Sequence, residues 1–178
     1  MATAFPHVQF RSLDIAPIIA HVPRPKVIFE VYDFTRGLLL DDNSQDTVFL
    51  HHLAVKVKDY RTLIREVHRV LRPGGLLHVV DFSLYFWDPE NETPITAPTN
   101  PKTLHLLELV QEHLSDAGID TNACTRLSEW LNCDSDLWNS KTGDKVGFNR
   151  IEAVILVYTP SGSGSRKIHR ALDYDDIS

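Results

Sequence analysis

The chain has 178 residues, which is enough for one domain with a full hydrophobic core and too few for two comfortable ones. Its composition is ordinary for a globular protein, with 43% hydrophobic and 24% charged residues, and its formal charge is −6. Nucleic-acid binders rely on a basic face to neutralise phosphates. The 18 Lys and Arg residues of this chain are scattered along an acidic sequence, which disfavours a nucleic-acid partner.

Two strands are predicted near the N-terminus, and each carries an aspartate near its end. Residues 7–15 (HVQFRSLDI) alternate imperfectly between apolar and polar side chains and include Asp14. Prolines in residues 23–25 separate them from residues 26–34 (KVIFEVYDF), which include Asp33. The second segment is a near-continuous apolar run, which is typical of a strand buried on both faces.

A third strand and a long helix follow. Residues 47–53 (TVFLHHL) are typical of a strand, and Asp59 is a suitable N-cap for a helix over residues 60–72. Apolar side chains recur in this helix at i, i+3, i+4 and i+7, which predicts one buried face.

The segment HRVLRPGGLLHVVDF, residues 68–82, joins this helix to a fourth strand. Proline cannot continue a helix, and the two glycines of residues 73–75 permit a turn with positive φ. Residues 76–82 then predict a buried strand that ends near Asp81. Within that strand His78 is interpreted as a hydrogen-bonded core histidine.

The remaining sequence predicts a helix that begins at Pro101 and ends before Gly118, a short helix around residues 126–131, and a last strand in residues 150–160. Residues 161–178 mix linker-like and acidic composition and are predicted to be disordered. Three tryptophans are interpreted as core residues, with a place in the lining of a substrate pocket as the alternative: Trp87, Trp130 and Trp138.

Alternating strands and helices with short connections predict an α/β fold with a doubly wound, mostly parallel sheet. Ligands of such sheets bind beyond the carboxyl ends of the strands. Three aspartates follow strands in this way, and their positions predict a binding site at that edge: Asp14, Asp33 and Asp81.

The two cysteines, Cys124 and Cys133, occur without a secretion signal, which predicts free thiols in a reducing compartment. No apolar run approaches the ~20 residues that a membrane-spanning helix needs. The sequence therefore predicts a cytoplasmic protein with no membrane partner.

Residues 40–82 resemble the class I S-adenosylmethionine-dependent methyltransferases, particularly the fungal small-molecule type. The most specific part is the Arg-Val-Leu-Arg-Pro-Gly-Gly string between a helix and a strand. The resemblance covers about residues 5–160 and implies a Rossmann-like sheet, S-adenosylmethionine as cofactor and methyl transfer to a small-molecule acceptor. A methyltransferase-like domain would then span residues 1–160, followed by the tail of residues 161–178.

The resemblance also implies a cofactor site. Asp14 would accept hydrogen bonds from the two ribose hydroxyls, and Ile15 would lie along the adenine. Asp33 would contact the adenine amino group, with Phe34 beside the ring. An acidic acceptor suits a vicinal diol because each hydroxyl donates one proton. A turn or capping role is the alternative for both aspartates.

His51 and His52 lie where the family places residues close to the transferring methyl group. Neighbouring residues of a strand point to opposite faces, so we do not expect these two side chains to chelate a metal ion. One of them could act as a general base. The alternative is that both are polar residues at a strand end.

The family's glycine-rich turn has no counterpart before Gly37, the first glycine of the chain. The resemblance therefore starts at the family's second strand and predicts a sheet that lacks the first strand and first helix. Because that turn holds the methionine end of the cofactor, we expect weak binding of S-adenosylmethionine. A non-catalytic binding or regulatory protein, or a truncated gene product, is the alternative.

Without a first strand, residues 7–15 and residues 47–53 would either pair directly or keep open edges. Residues 47–53 contain no proline or lysine to block pairing with another chain. The sequence therefore predicts self-association through exposed strand edges, or marginal stability.

Overall fold

The computed structural model describes residues 2–16, 22–84, 87–88, 93–94, 101–138, 147–157 and 166–168. The first four strands and first helix are β1 (Phe10–Asp14), β2 (Val27–Val31), β3 (Gln45–His51), α1 (Tyr60–Val70) and β4 (Leu71–Val80). They are followed by β5 (Trp87–Asp88), β6 (Thr93–Pro94), α2 (Pro101–Asp116), α3 (Ala123–Leu131), β7 (Ile155–Val157) and β8 (Arg166–Ile168). Two short 3-10 turns occupy Phe34–Arg36 and Asp136–Trp138.

The first four strands form two parallel pairs. β1 pairs with β2, and β3 pairs with β4 through the crossover helix α1, which is the expected β-α-β unit. These parallel pairs confirm the predicted α/β class. Within the described ranges the pairs form two separate two-stranded sheets, so β1 and β3 are not joined by backbone hydrogen bonds. The short pairs β5–β6 and β7–β8 are antiparallel.

Helix α1 forms as its sequence predicts. The Asp59 carboxylate accepts the backbone N–H of Thr62 at 2.9 Å and caps the first turn. The helix ends at Val70, two residues earlier than predicted, because Leu71 is already extended. A proline disfavours the helical region at the residue before it, here Arg72, so the helix has to end ahead of Pro73. The buried face of α1 consists of Tyr60, Leu63, Ile64, Val67 and Val70.

The glycine junction lies inside β4 rather than ahead of it. Gln45 is opposite Leu71, whereas Thr47 is opposite Leu76. Between these two pairs β4 therefore contains more residues than β3 does. Gly74 has a φ of 79°, which confirms the predicted turn with positive φ. The junction is therefore an irregularity that resets the register between the two strands.

The hydrophobic core lies between α1, one face of β3–β4 and the segment that contains α3. Trp130 and Trp138 are buried in it, as predicted, whereas the side chain of Trp87 lies outside the described residues. The sheet β1–β2 contributes Leu13 and Tyr32 to the edge of the same core. The two sheets therefore share one core although they do not share a strand.

The prediction that β2 is buried on both faces is wrong, and the predicted burial of β4 holds for one of its faces only. In β4 the exposed residues alternate with half-buried ones, because α1 covers only one face of the sheet. His78 is consequently exposed and is not the core histidine that the apolar run predicted. In β2, Ile28 and Val31 are exposed as well.

The C-terminal half agrees with its predicted elements. Helix α2 begins at Pro101 and ends just before Gly118, and α3 contains the predicted short helix. β7 lies inside the predicted last strand, and β8, from within residues 161–178, pairs with it. Most of those residues lie outside the described part, so the disordered tail and the domain limits remain predictions. None of the described helices is both long and apolar enough to cross a membrane.

Candidate functional site

Asp14 and Ile15 form the first part of the predicted cofactor site. Asp14 is the last residue of β1, and its carboxylate accepts the backbone N–H of Ala16 at 3.3 Å. A carboxylate offers about four acceptor positions, so this half-buried group retains room for the two donors of a diol. Ile15 follows at the strand end and is 48% exposed. The bond to Ala16 is the turn role that the sequence left as the alternative for Asp14, and the cofactor contacts of Asp14 and Ile15 remain predictions.

Asp33 is more strongly engaged within the chain. Its carboxylate accepts the hydroxyl of Thr35 at 2.5 Å and the backbone N–H of Thr35 at 3.2 Å, and it pairs with Arg36 at 3.3 Å. The hydrogen bond from the Thr35 hydroxyl, with smaller help from the backbone bond and the Arg36 charge, lowers the pKa of Asp33. Phe34 is only 9% exposed and packs in the core. Asp33 therefore caps its own turn, which is the alternative role given above. The contacts of Asp33 and Phe34 with adenine remain predictions.

The structure brings Asp14 and Asp33 to the same end of the β1–β2 sheet. The backbone N–H of Tyr32 donates to the carbonyl of Asp14 at 3.0 Å, which holds the two strand ends side by side. His51 and His52 lie instead at the end of β3, in the other described sheet. The predicted site therefore consists of two groups on separate sheets.

His51 and His52 are exposed, and their ring centroids lie 6.4 Å apart. His52 has left the strand with a φ of 56°, while its N–H still donates to the carbonyl of Val80 at 2.9 Å. The alternation of strand side chains therefore does not apply at His52. In the part of the chain that is described, no group of three or more His, Cys, Asp or Glu side chains could hold a metal ion.

Asp81 fixes the turn that carries His52, a role that the sequence did not reveal. One oxygen of its carboxylate accepts the N–H of Leu53 at 2.9 Å and the N–H of Ala54 at 2.7 Å. The other oxygen accepts the N–H of Phe82 at 3.0 Å. Successive N–H groups after a left-handed residue form a concave site for an anion, which Asp81 fills from the neighbouring strand. The sequence signal that could have indicated this role is the position of Asp81 directly after β4, the strand that pairs with β3.

Two groups near this clamp, the buried Tyr60 and the half-buried Cys124, have raised pKa values and remain neutral. Burial raises the pKa of the Tyr60 hydroxyl, and the nearby Asp81 carboxylate adds to the effect. Burial likewise raises the pKa of the Cys124 thiol, again with a contribution from Asp81. Because the thiolate is the reactive form, Cys124 is not suited to nucleophilic catalysis.

Residues 9–79 match a family model described as a methyltransferase domain. The matched range contains β1, β2, β3, α1 and all of β4 except Val80. The chain is also 27% identical over 137 residues to the secondary metabolism regulator laeA of Coprinopsis cinerea. That match covers 74% of this chain and 34% of the relative, so the chain spans about a third of the length of the curated relative it matches. Both matches support the resemblance of residues 9–79 and their surroundings to the class I S-adenosylmethionine-dependent methyltransferases.

Proposed function

We propose that the chain is an S-adenosylmethionine-dependent methyltransferase that acts on a small-molecule acceptor. The observation that carries this proposal is the methyltransferase match over residues 9–79, within which Asp14 ends the first strand of a parallel pair. Bound cofactor would supply a methyl group on a sulfonium, which an acceptor nucleophile displaces in line. The protein would contribute mainly orientation of the acceptor and exclusion of water.

The described residues fit the nucleoside half of the cofactor better than its methionine half. Asp14 retains acceptor capacity for the ribose hydroxyls, and the exposed Ile15 offers an apolar surface to the adenine. No glycine precedes Gly37, so the sequence up to that point offers no glycine-rich turn for the charged methionine end. Losing two hydrogen bonds to charged groups costs roughly 3–6 kcal/mol, or about 100- to 10,000-fold in affinity. We therefore propose weak binding.

His51 or His52 is the proposed general base, because both imidazoles are exposed at the end of β3. The Asp81 clamp would hold their backbone in place. As partners we propose a small-molecule acceptor and neither nucleic acid nor membrane. A cytoplasmic location is part of the proposal and is supported by the free thiols Cys124 and Cys133.

A non-catalytic regulatory function is the second candidate, and one observation favours it. The matched relative is named a regulator of secondary metabolism rather than a methyltransferase. In this alternative the chain would keep the fold and a vestigial nucleoside site, and would act by binding another molecule.

Isothermal titration with S-adenosylhomocysteine tests the proposal directly. We expect saturable binding that is weak, with a dissociation constant well above the low-micromolar range, and that is reduced by Asp14→Ala. The matched control is Asp46→Ala, which removes an exposed carboxylate of β3 that is paired with Arg72. A complete lack of binding by the folded chain would favour the regulatory function. Low-micromolar binding would show that other residues replace the glycine-rich turn.

A further inference from the structure

The two histidines at the end of β3 differ in their backbone conformation. His51 is the last residue of the strand and lies opposite Val80 in the register. His52 follows with a φ of 56°, in the left-handed region that only glycine adopts without cost. Its N–H donates to the carbonyl of Val80 at 2.9 Å, so His52 lies just beyond the last pair of the sheet. This is the edge at which ligands of parallel sheets bind.

The Asp81 clamp holds His52 in this conformation. One oxygen of the Asp81 carboxylate accepts the N–H of Leu53 at 2.9 Å and that of Ala54 at 2.7 Å, and these are the next two residues of the turn. A left-handed side chain persists only where its surroundings enforce it, and such positions cluster at active sites and ligand clamps. The clamp therefore maintains, against a backbone cost, a turn that presents a histidine.

The surroundings of the two rings differ as well. The ring of His51 has its centroid 6.2 Å from that of Phe49 and 6.0 Å from that of His78. Both neighbours are earlier residues of β3 and β4, so His51 is set back along the strands. The ring of His52 lies 5.7 Å from that of Phe82, which comes after the end of β4. His52 is therefore the imidazole nearer to the carboxyl edge of the sheet.

We propose that His52, rather than His51, is the base of the proposed methyl transfer, and that Asp81 is the residue that positions it. This inference rests on the proposed function. The His52 imidazole takes the proton that the acceptor loses, while an electron pair of the acceptor forms the bond to the methyl carbon. The electron pair of the broken carbon–sulfur bond stays on sulfur. Because His52 is exposed, the imidazolium then returns its proton to water.

Histidine-ring NMR of the 178-residue chain, titrated with S-adenosylhomocysteine, tests whether His52 lies near the reacting atoms. We expect the ring signals of His52 to shift most and those of His78, inside β4, to stay almost unchanged. His51→Gln and His52→Gln identify the signals. Calorimetry on the same samples separates the two proposals. Absence of binding would overturn both, whereas binding that leaves the His52 signals unchanged, or shifts those of His51 more, would overturn this inference alone.

Asp81→Asn tests the positioning role, because the amide keeps the size of the side chain but loses the charge that the turn binds. We expect binding of S-adenosylhomocysteine with nearly the wild-type affinity and loss of most of the shift of the His52 signals. The matched control is Asp46→Asn, which removes an exposed carboxylate paired with Arg72 and should keep both. Asp81→Ser, which still accepts one hydrogen bond, repeats the comparison should the amide variant not fold. A full His52 shift in the folded Asp81 variant would overturn the positioning role.

His52→Gly tests the backbone cost without a ligand. Glycine adopts the left-handed region freely, so the melting temperature should stay equal to that of the wild type or rise. His51→Gly should melt about 2–4 °C lower, because glycine weakens a strand. Equal losses in the two variants would show that the clamp does not hold His52 against its preference, and would remove the reason for choosing it over His51.

Discussion

The carboxylate of Asp81 lies 2.7 Å from the backbone nitrogen of Ala54, although 27 residues separate them in the chain. The same oxygen accepts the N–H of Leu53 at 2.9 Å. The side chain that directly follows β4 therefore closes the end of β3 and holds the turn in which His52 adopts its left-handed conformation. The clamp connects the stability of the sheet with the position of the candidate histidines.

Asp81→Ala should destabilise the chain because it leaves two part-buried N–H groups without their acceptor. We expect a loss of about 2–4 kcal/mol in the free energy of unfolding, as hydrogen bonds to a charged group are among the stronger ones. Urea denaturation measures this loss. Asp46→Ala, which breaks an exposed ion pair with Arg72, should cost less than about 1 kcal/mol. Equal losses in the two variants would contradict the clamp.

Arg69 and Glu66 hold the loop between β2 and β3 against α1. Arg69 pairs with Glu66 at 2.8 Å and with Asp42 at 2.6 Å, and it donates to the carbonyls of Leu38 and Leu40. Glu66 in turn accepts the N–H of Leu38 at 3.0 Å. The hydrogen bond from Arg69, helped by that backbone bond, lowers the pKa of Glu66.

This lowered pKa predicts a pH-dependent stability. A carboxyl group whose pKa is depressed on folding stabilises the protein fully above its unfolded pKa, which is about 4.3 for Glu, and loses that effect as pH falls through the folded value. Glu66→Gln should therefore be less stable than wild type by about 1–2 kcal/mol at pH 7. The difference should shrink below about pH 4. Thermal melts at several pH values test this.

The control for Glu66→Gln is Glu108→Gln, which removes an exposed carboxylate of α2. We expect it to leave the melting temperature at pH 7 almost unchanged. A stability difference between wild type and Glu66→Gln that stays constant from pH 7 to pH 3 would show that the Glu66 charge does not contribute.

Gly75 should be the less replaceable glycine of the junction. A Cβ atom there would lie 2.8 Å from the carbonyl oxygen of Arg72 and 3.2 Å from that of Asp46, and backbone atoms cannot easily move away. We expect Gly75→Ala to cost about 2–3 kcal/mol by overpacking. Gly74 has open space around it, so Gly74→Ala should cost only the backbone strain of a left-handed residue, about 1–2 kcal/mol.

Asparagine distinguishes the two glycines. Because asparagine tolerates the left-handed region, Gly74→Asn should be more stable than Gly74→Ala. Gly75→Asn should be no better than Gly75→Ala, since the obstacle there is space. Chemical denaturation of the four variants measures both comparisons, and a rescue of Gly75 by asparagine would refute the steric explanation.

Local signals in the sequence predicted the elements of the fold well. The Asp59 cap, the apolar spacing of α1 and the Pro-Gly-Gly junction act over a few residues, so their consequences can be read directly from the chain. The exposure of His78 could not be read in this way. An apolar run predicts a strand, but whether one or both faces are covered depends on which distant elements pack there.

The candidate site was predictable to a lesser extent. The strand ends located Asp14 and Asp33 correctly at one edge of a sheet, since parallel strands end together. Two features depended on contacts between distant residues and were not predictable: the acceptor role of Asp81 and the engagement of Asp33 with its own turn. Neither feature follows from the position of the aspartate in the sequence. An aspartate at a strand end can bind a ligand, cap its own turn or accept from a neighbouring strand, and the residues around it do not distinguish these roles.

The last prediction separates the two aspartates of the proposed cofactor site. Asp14→Ala should weaken binding of S-adenosylhomocysteine by about 100-fold or more, because two ribose hydrogen bonds to a charged acceptor are lost. Asp33→Ala should weaken binding less and should mainly lower the melting temperature, since its carboxylate already binds Thr35 and Arg36. Titration calorimetry paired with thermal melts measures both quantities for each variant. Equal affinities for wild type and Asp14→Ala would remove Asp14 from the site, whereas a larger affinity loss in Asp33→Ala would mean that the Asp33 carboxylate leaves its cap to bind the ligand.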